Sequence, residues 1–296
     1  MKQLLVLAAF ASASSTSAAS PAPIAEHEAR VTGVTLHYLV AGHGTPIVLL
    51  HGYAETSDMW RPVIEHLSHD HVVIAPDLRG TGGSSKPESG YDKVTLAADV
   101  HDLVRSLGYR HVQIVGHDIG MMVAYAYAAK YSDETDTLTL MDAVLPGIGS
   151  WQAVWQRADK WHFHFRGPTA ERLVAGRERI YLDHFWNDFA ADPARSVPEA
   201  QRQLYARAYA QPGAMHASFE YFHAFEQDAA DFTALSKTKL PMPVLVLAGE
   251  KAAGTFLINQ ARLVATNVHG VVISGAGHWL LEEAPAQTID ELVAFL

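Results

Sequence analysis

The chain has 296 residues, about half of them apolar, no cysteine and a formal net charge of −10. This is a globular composition, large enough for a core that needs no disulfide. No Lys/Arg run is present, so the basic footprint of a nucleic-acid binder is missing.

At the N-terminus, Lys2 precedes the apolar run "LLVLAAFA", and the small residues "SASSTSAAS" follow. That order is expected of a secretory signal peptide, cut after about Ala19. Residues 1–19 are therefore set apart from the fold, and the mature protein is expected to be secreted or periplasmic. The apolar run is far shorter than the ~20 residues of a membrane span, so no membrane partner is expected.

Next comes "VTGVTLHYLVAG", which reads as an antiparallel hairpin. Short, nearly unbroken apolar runs then recur at 46–52, 71–77, 111–117, 137–143, 243–249 and 270–276. Continuous Val/Ile/Leu marks strands buried on both faces, as in a parallel sheet covered by helices. Segments such as "LAADVHDLVRSLG" and "TIDELVAFL" carry helical spacing between them. The expected fold is α/β, with a mostly parallel eight-stranded sheet and helices on both faces. Residues 20–145 and 240–296 form this core. Between them, 146–239 reads as helices alone and is expected to be an inserted cap. Its aromatic residues Trp151, Trp155, Trp161, Phe163 and Phe165 are expected mainly in the cap's own core, with one or two lining a pocket.

The run "GHDIG" fits G-x-nucleophile-x-G, with Gly116 and Gly120 around Asp118. In a strand–turn–helix setting this is a nucleophile elbow. It points Asp118 into the crevice at the strand ends, close to the free N–H groups of a helix start. A serine there needs a base before it can attack. A carboxylate with a pKa near ~4 is already an anion at neutral pH. It can displace a strained or good leaving group from saturated carbon and form an ester. Epoxides and carbon–halogen bonds meet that requirement.

Releasing the ester needs water and a base. His278, in "GAGHWLLEEAP" after the last strand, has the third triad member's place in chain order. An acid is needed to orient it. Asp142, at the tip of the strand after the elbow helix, is favoured over Glu250. "HGYAETSDMW" offers the backbone N–H of Tyr53, and the elbow offers that of Ile119, as an oxyanion hole. The glycines of "DLRGTGGSSKP" lack phosphate-loop spacing and read as a structural turn. Neither "HLSHDH" nor "HFHF" has metal-site spacing. No metal or cofactor is expected.

Taken together, "HGYAETSDMW", "DLRGTGGS", "GHDIG" and "GHWLLEE" resemble the α/β-hydrolase superfamily, in its epoxide hydrolase and dehalogenase branch. "WHFHF", "AGRERIYLDHFW", "LYARAYAQPGAMHASFEY" and "KTKLPMPVLVLAGEKAAGTF" resemble the Cif-type secreted bacterial epoxide hydrolases. The resemblance implies an acid after the strand that follows the nucleophile, at Asp142. It implies an epoxide-oxygen donor in "WHF", at His162, and a homodimer. It also implies a second donor, a tyrosine just after "FEY", where this chain has Phe222. Tyr221, one residue away, is the first substitute considered, with Tyr205 and Tyr209 behind it.

The expected activity is hydrolysis of a small-molecule epoxide to a vicinal diol through an aspartyl ester. Asp118 attacks, His162 and Tyr221 assist the oxygen, and His278 with Asp142 activates water. The first alternative is dehalogenation by the same nucleophile. Against it, Ile119 stands where haloalkane dehalogenases resemble one another in a tryptophan, and "DIGMM" lacks the arginines of fluoroacetate dehalogenases. The second alternative is a non-catalytic, cap-bearing binding protein.

Overall fold

The computed structural model describes residues 23–296; the signal-peptide segment, residues 1–19, lies outside them. The strands are β1 (Ala25–Val31), β2 (Val34–Gly42), β3 (Thr45–Leu50), β4 (His71–Pro76), β5 (Val112–His117), β6 (Thr135–Met141), β7 (Leu240–Gly249) and β8 (Ala265–Ile273). They form one sheet in the order β1-β2-β4-β3-β5-β6-β7-β8. Strand β2 runs antiparallel to β1 and β4, and β3 to β8 run parallel. The α/β reading of the sequence holds.

Burial explains the composition of the strands. Ile47, Val48, Leu49 and Leu50 of β3 are fully covered, as are Ile114 and Val115 of β5. These central strands have no solvent face, so they carry no polar alternation. The outer strands β1 and β8 are largely exposed or half-exposed and correspondingly polar. Strand β7 starts at Leu240, before two prolines, and its pairing with β8 is irregular between Leu240 and Pro243. Proline has no N–H for a ladder, which is why only the run from 243 reads as a strand in the sequence.

Chain direction matters for function at one place. From β3 the chain moves to β4 on one side, and later to β5 on the other. The carboxyl ends of β3 and β5 therefore flank a topological switch point, where a crevice opens in α/β sheets. Tyr53 follows β3 and Asp118 follows β5.

Between β6 and β7 the chain is helical, from Trp151 to Leu235. This segment is tied to the sheet core by a buried ion pair. Lys93, first residue of helix Lys93–Ser106, places its Nζ 2.7 Å from Asp228 Oδ2, with neither side chain exposed. The same ammonium donates to the carbonyl of Tyr221 at 2.6 Å, and the Lys93 N–H donates to Asp228 Oδ1 at 2.8 Å. Burial pulls the ammonium's pKa down and the carboxyl's up, while their mutual attraction opposes both shifts.

Candidate active site

The elbow is built by close packing. A Cβ on Gly116 would lie 2.2 Å from the carbonyl oxygen of Gly120, and one on Gly120 would lie 2.3 Å from that of Leu50. Neither site admits a side chain, so the two glycines of "GHDIG" are required by contact distance alone. Asp118 itself takes φ 51° and ψ −119°, a strained conformation worth about 1–3 kcal/mol. Ala54 and Asp142 are the other non-glycine residues with positive φ among the described residues. All three lie around the same crevice. The Asp118 N–H donates to Met141 at 3.1 Å and the Asp142 N–H to Leu247 at 2.9 Å, so neighbouring strands fix both backbones.

The carboxylate of Asp118 is held in two ways. Its Oδ1 accepts the Tyr53 N–H at 2.9 Å. Its Oδ2 lies 3.5 Å from His278 Nε2. His278 Nδ1 is 2.8 Å from Asp142 Oδ2. Asp142 Oδ1 in turn accepts the N–H groups of Gly249 at 2.8 Å and Ala253 at 3.1 Å. Asp142 faces His278 with its acceptor, so Nδ1 carries the hydrogen and Nε2 is left as a base facing the nucleophile. Glu250, the other acid considered, is spent elsewhere. It pairs with Lys251 at 2.8 Å and accepts the Gly275 N–H at 2.9 Å. Ile119 opens the elbow helix directly after Asp118, which puts its backbone next to the nucleophile.

A cavity of about 870 Å³ lies over these groups. Asp118, Asp142, His278, Tyr53 and His162 all line it, with Phe222. His162 is 3 % exposed and its Nδ1 has no hydrogen-bond partner. The rings of Phe163, Phe185, Phe189 and Phe222 stand 4.7 to 5.4 Å from its own. Burial, reinforced by the charge of Lys160, pulls its pKa down to about 3. The imidazole is neutral at physiological pH: it can donate a hydrogen bond but holds no second proton to give.

Tyr221 does not join this group, which corrects the sequence expectation. Its hydroxyl turns away, donating to the carbonyl of Arg79 and lying 3.1 Å from Thr81 Oγ1. Its ring packs edge-on against Tyr91 at 5.5 Å. Helix Ala214–His223 presents Phe222 to the cavity instead, as the ~100° turn between neighbouring residues demands. Tyr209 is engaged with the Ala54 N–H at 2.8 Å. Tyr205 is fully buried against Trp186, and neither tyrosine lines the cavity.

One buried cluster escaped the sequence reading. His117 Nδ1 is 3.0 Å from Glu55 Oε2, and its Nε2 is 3.0 Å from the carbonyl oxygen of His278. A carbonyl and a carboxylate both accept, so both ring nitrogens carry hydrogen and the ring is an imidazolium. Burial works against that charge, but the Glu55 carboxylate, with Asp118 and the His278 carbonyl, outweighs it and lifts the pKa to about 9. The half-buried Glu282 carboxyl beside it is pushed up to about 8 by burial and by Glu55. The cluster braces the loop that carries His278. Its signal in the sequence is the histidine directly before the nucleophile and the acid at the end of "HGYAE".

A pH effect follows. A histidine raised from its ordinary value of 6.5 to about 9 on folding stabilises fully below the first value and loses that stabilisation as pH rises to the second. The loss is of the order of 3 kcal/mol. The raised Glu282 carboxyl contributes with the same sign as it ionises. Chemical denaturation at pH 6.5 and pH 9 is expected to show this fall in the wild type and to show it largely flattened in Glu55→Gln. An unchanged slope in the variant would rule out the charged cluster.

The class defined by this sheet and elbow is the α/β hydrolase. The family model described as alpha/beta hydrolase fold matches residues 45–285. The chain is 34 % identical over 280 residues to a soluble epoxide hydrolase of Corynebacterium sp. (strain C12), covering 92 % of this chain and 97 % of the relative. It is 26 % identical over 283 residues to a fluoroacetate dehalogenase of Burkholderia sp., covering 90 % of this chain and 91 % of that one. Among solved structures, Cfl2 of Burkholderia cenocepacia superposes with a TM-score of 0.84 at 32 % identity, covering 91 % of this chain and 95 % of the other. The chain belongs to the α/β-hydrolase family and has epoxide hydrolases among its homologues.

Proposed function

We propose that the protein hydrolyses epoxides to vicinal diols through an ester on Asp118. The observation that carries this reading is a carboxylate at the elbow with one oxygen on a backbone N–H and the other facing a histidine base. In the first half-reaction Asp118 Oδ2 attacks an oxirane carbon, the C–O bond breaks, and the ring oxygen takes the electron pair. The neutral imidazole of His162 donates a hydrogen bond to that oxygen. Oδ1, on the Tyr53 N–H, becomes the ester carbonyl. In the second half-reaction His278, held by Asp142, takes a proton from water as it adds to the ester carbon. The Tyr53 N–H then stabilises the oxyanion. Its collapse breaks the bond between the acyl carbon and Oδ2. Both protons of the added water pass to the two oxygens of the product, one of them by way of His278, and the diol leaves as the carboxylate reforms.

The similarity to an epoxide hydrolase over nearly the whole chain supports this reading. The same elbow serves halide displacement, and a fluoroacetate dehalogenase is also similar. The apolar Ile119, Met121 and Met122 after the nucleophile favour the epoxide. The segment 146–239 acts as a cap that keeps bulk water from the ester, and the mature chain works as an exported homodimer. Styrene oxide and fluoroacetate, assayed side by side, test the proposal. Diol from the first without fluoride from the second is expected; fluoride alone would replace epoxide hydrolysis with dehalogenation.

A further inference from the structure

The cavity contains a cation that the reaction above does not use. Arg157, Lys160 and Lys251 all line it. Arg157 is paired with Asp159 at 2.9 Å, and Lys251 with Glu250 at 2.8 Å. Among the described residues, no carboxylate lies within ion-pairing distance of Lys160. Its backbone breaks the helical values of segment Ala158–Phe163, with φ −99° and ψ 32°. Its Nζ lies 4.5 Å from the ring centroid of Phe189. The same ring stands 5.2 Å from that of His162 and 6.1 Å from that of His278. The ammonium thus lines the same cavity as the nucleophile and shares one ring neighbour with both histidines of the site. It is half-buried, and burial pulls its pKa down, so an anionic partner would repay a desolvation already incurred.

We infer that Lys160 is a specificity residue, and that the preferred substrate is an epoxide bearing a carboxylate on the oxirane ring or within a few bonds of it. This rests on the epoxide reading of the site. The rest of the lining near the ring is mostly aromatic or aliphatic, including Phe163, Phe185, Phe222 and Val154, and its other charged groups are already paired, Arg157 with Asp159 and His184 with Asp188. On a protein of net charge −10, attraction of an anion to the site must come from a local cation of this kind.

The test compares phenylglycidate, an anionic epoxide, with its neutral amide in the wild type, Lys160→Met and Lys160→Arg. Diol is measured, and the quantity read is the ratio of kcat/KM for the acid to that for the amide. A charge-assisted contact is worth about 10- to 100-fold, so the ratio is expected to fall by about that much in Lys160→Met, mainly through KM. It is expected to stay within about threefold of wild type in Lys160→Arg, which keeps the charge. Equal loss on both compounds in Lys160→Met would overturn the inference, since Lys160 would then serve the ring oxygen or the fold. An unchanged ratio would overturn it as well. Absence of diol from both compounds in the wild type would overturn the epoxide reading and this inference with it, an outcome distinct from the other two.

Discussion

Asp118→Asn is expected to lower kcat for epoxide hydrolysis by at least about 10⁴-fold, the scale seen when a nucleophile or its partner is removed from a coupled set. The substitution is chosen for its backbone. Position 118 has a positive φ of 51°, and asparagine, like aspartate, tolerates such values better than most residues. The Tyr53 N–H, which donates to Oδ1 at 2.9 Å, keeps an amide oxygen to bind. The fold is therefore expected to survive with a thermal midpoint close to wild type, while the amide, uncharged and far less nucleophilic, fails to open the ring. Steady-state diol release and a melting curve on the same sample check this. Activity within tenfold of wild type in a folded variant would remove Asp118 from the mechanism.

His278→Ala is expected to separate the two half-reactions. Ring opening needs the carboxylate and the oxygen donor, and both remain. Ester hydrolysis needs the base, whose Nε2 faces Oδ2 at 3.5 Å, and that is lost. The expected result is a burst of about one equivalent of epoxide consumed per enzyme, followed by turnover slower by about 10³- to 10⁴-fold. Intact-protein mass should rise by the mass of one epoxide. No burst and no adduct, with slow diol release, would mean that His278 acts before or during ring opening.

The reason the sheet and elbow could be read from sequence is that both are set by short-range constraints. Strands β3 to β7 are covered on both faces, so their Val/Ile/Leu runs stand out. The elbow glycines stand out because any side chain there would collide with backbone. Edge strand β8 reads short in the sequence because three of its first five residues, Thr266, Asn267 and His269, are exposed and polar and interrupt the apolar run. Tyr221 misses the pocket because one residue along a helix changes its face, and the pocket-facing position is Phe222. The Glu55–His117 pair spans 62 residues and Lys160 meets the site only through Phe189. Neither juxtaposition follows from spacing; each needs the chain folded first.

Oxygen labelling in a single turnover tests the ester most directly. Wild-type enzyme in excess over a styrene oxide substrate, in water enriched in heavy oxygen, should give unlabelled diol, because the incoming oxygen comes from Asp118. The peptide containing residue 118 should gain one heavy oxygen. Heavy oxygen in the diol of that first turnover, with an unlabelled Asp118 peptide, would mean that water opens the ring directly and that no covalent intermediate forms.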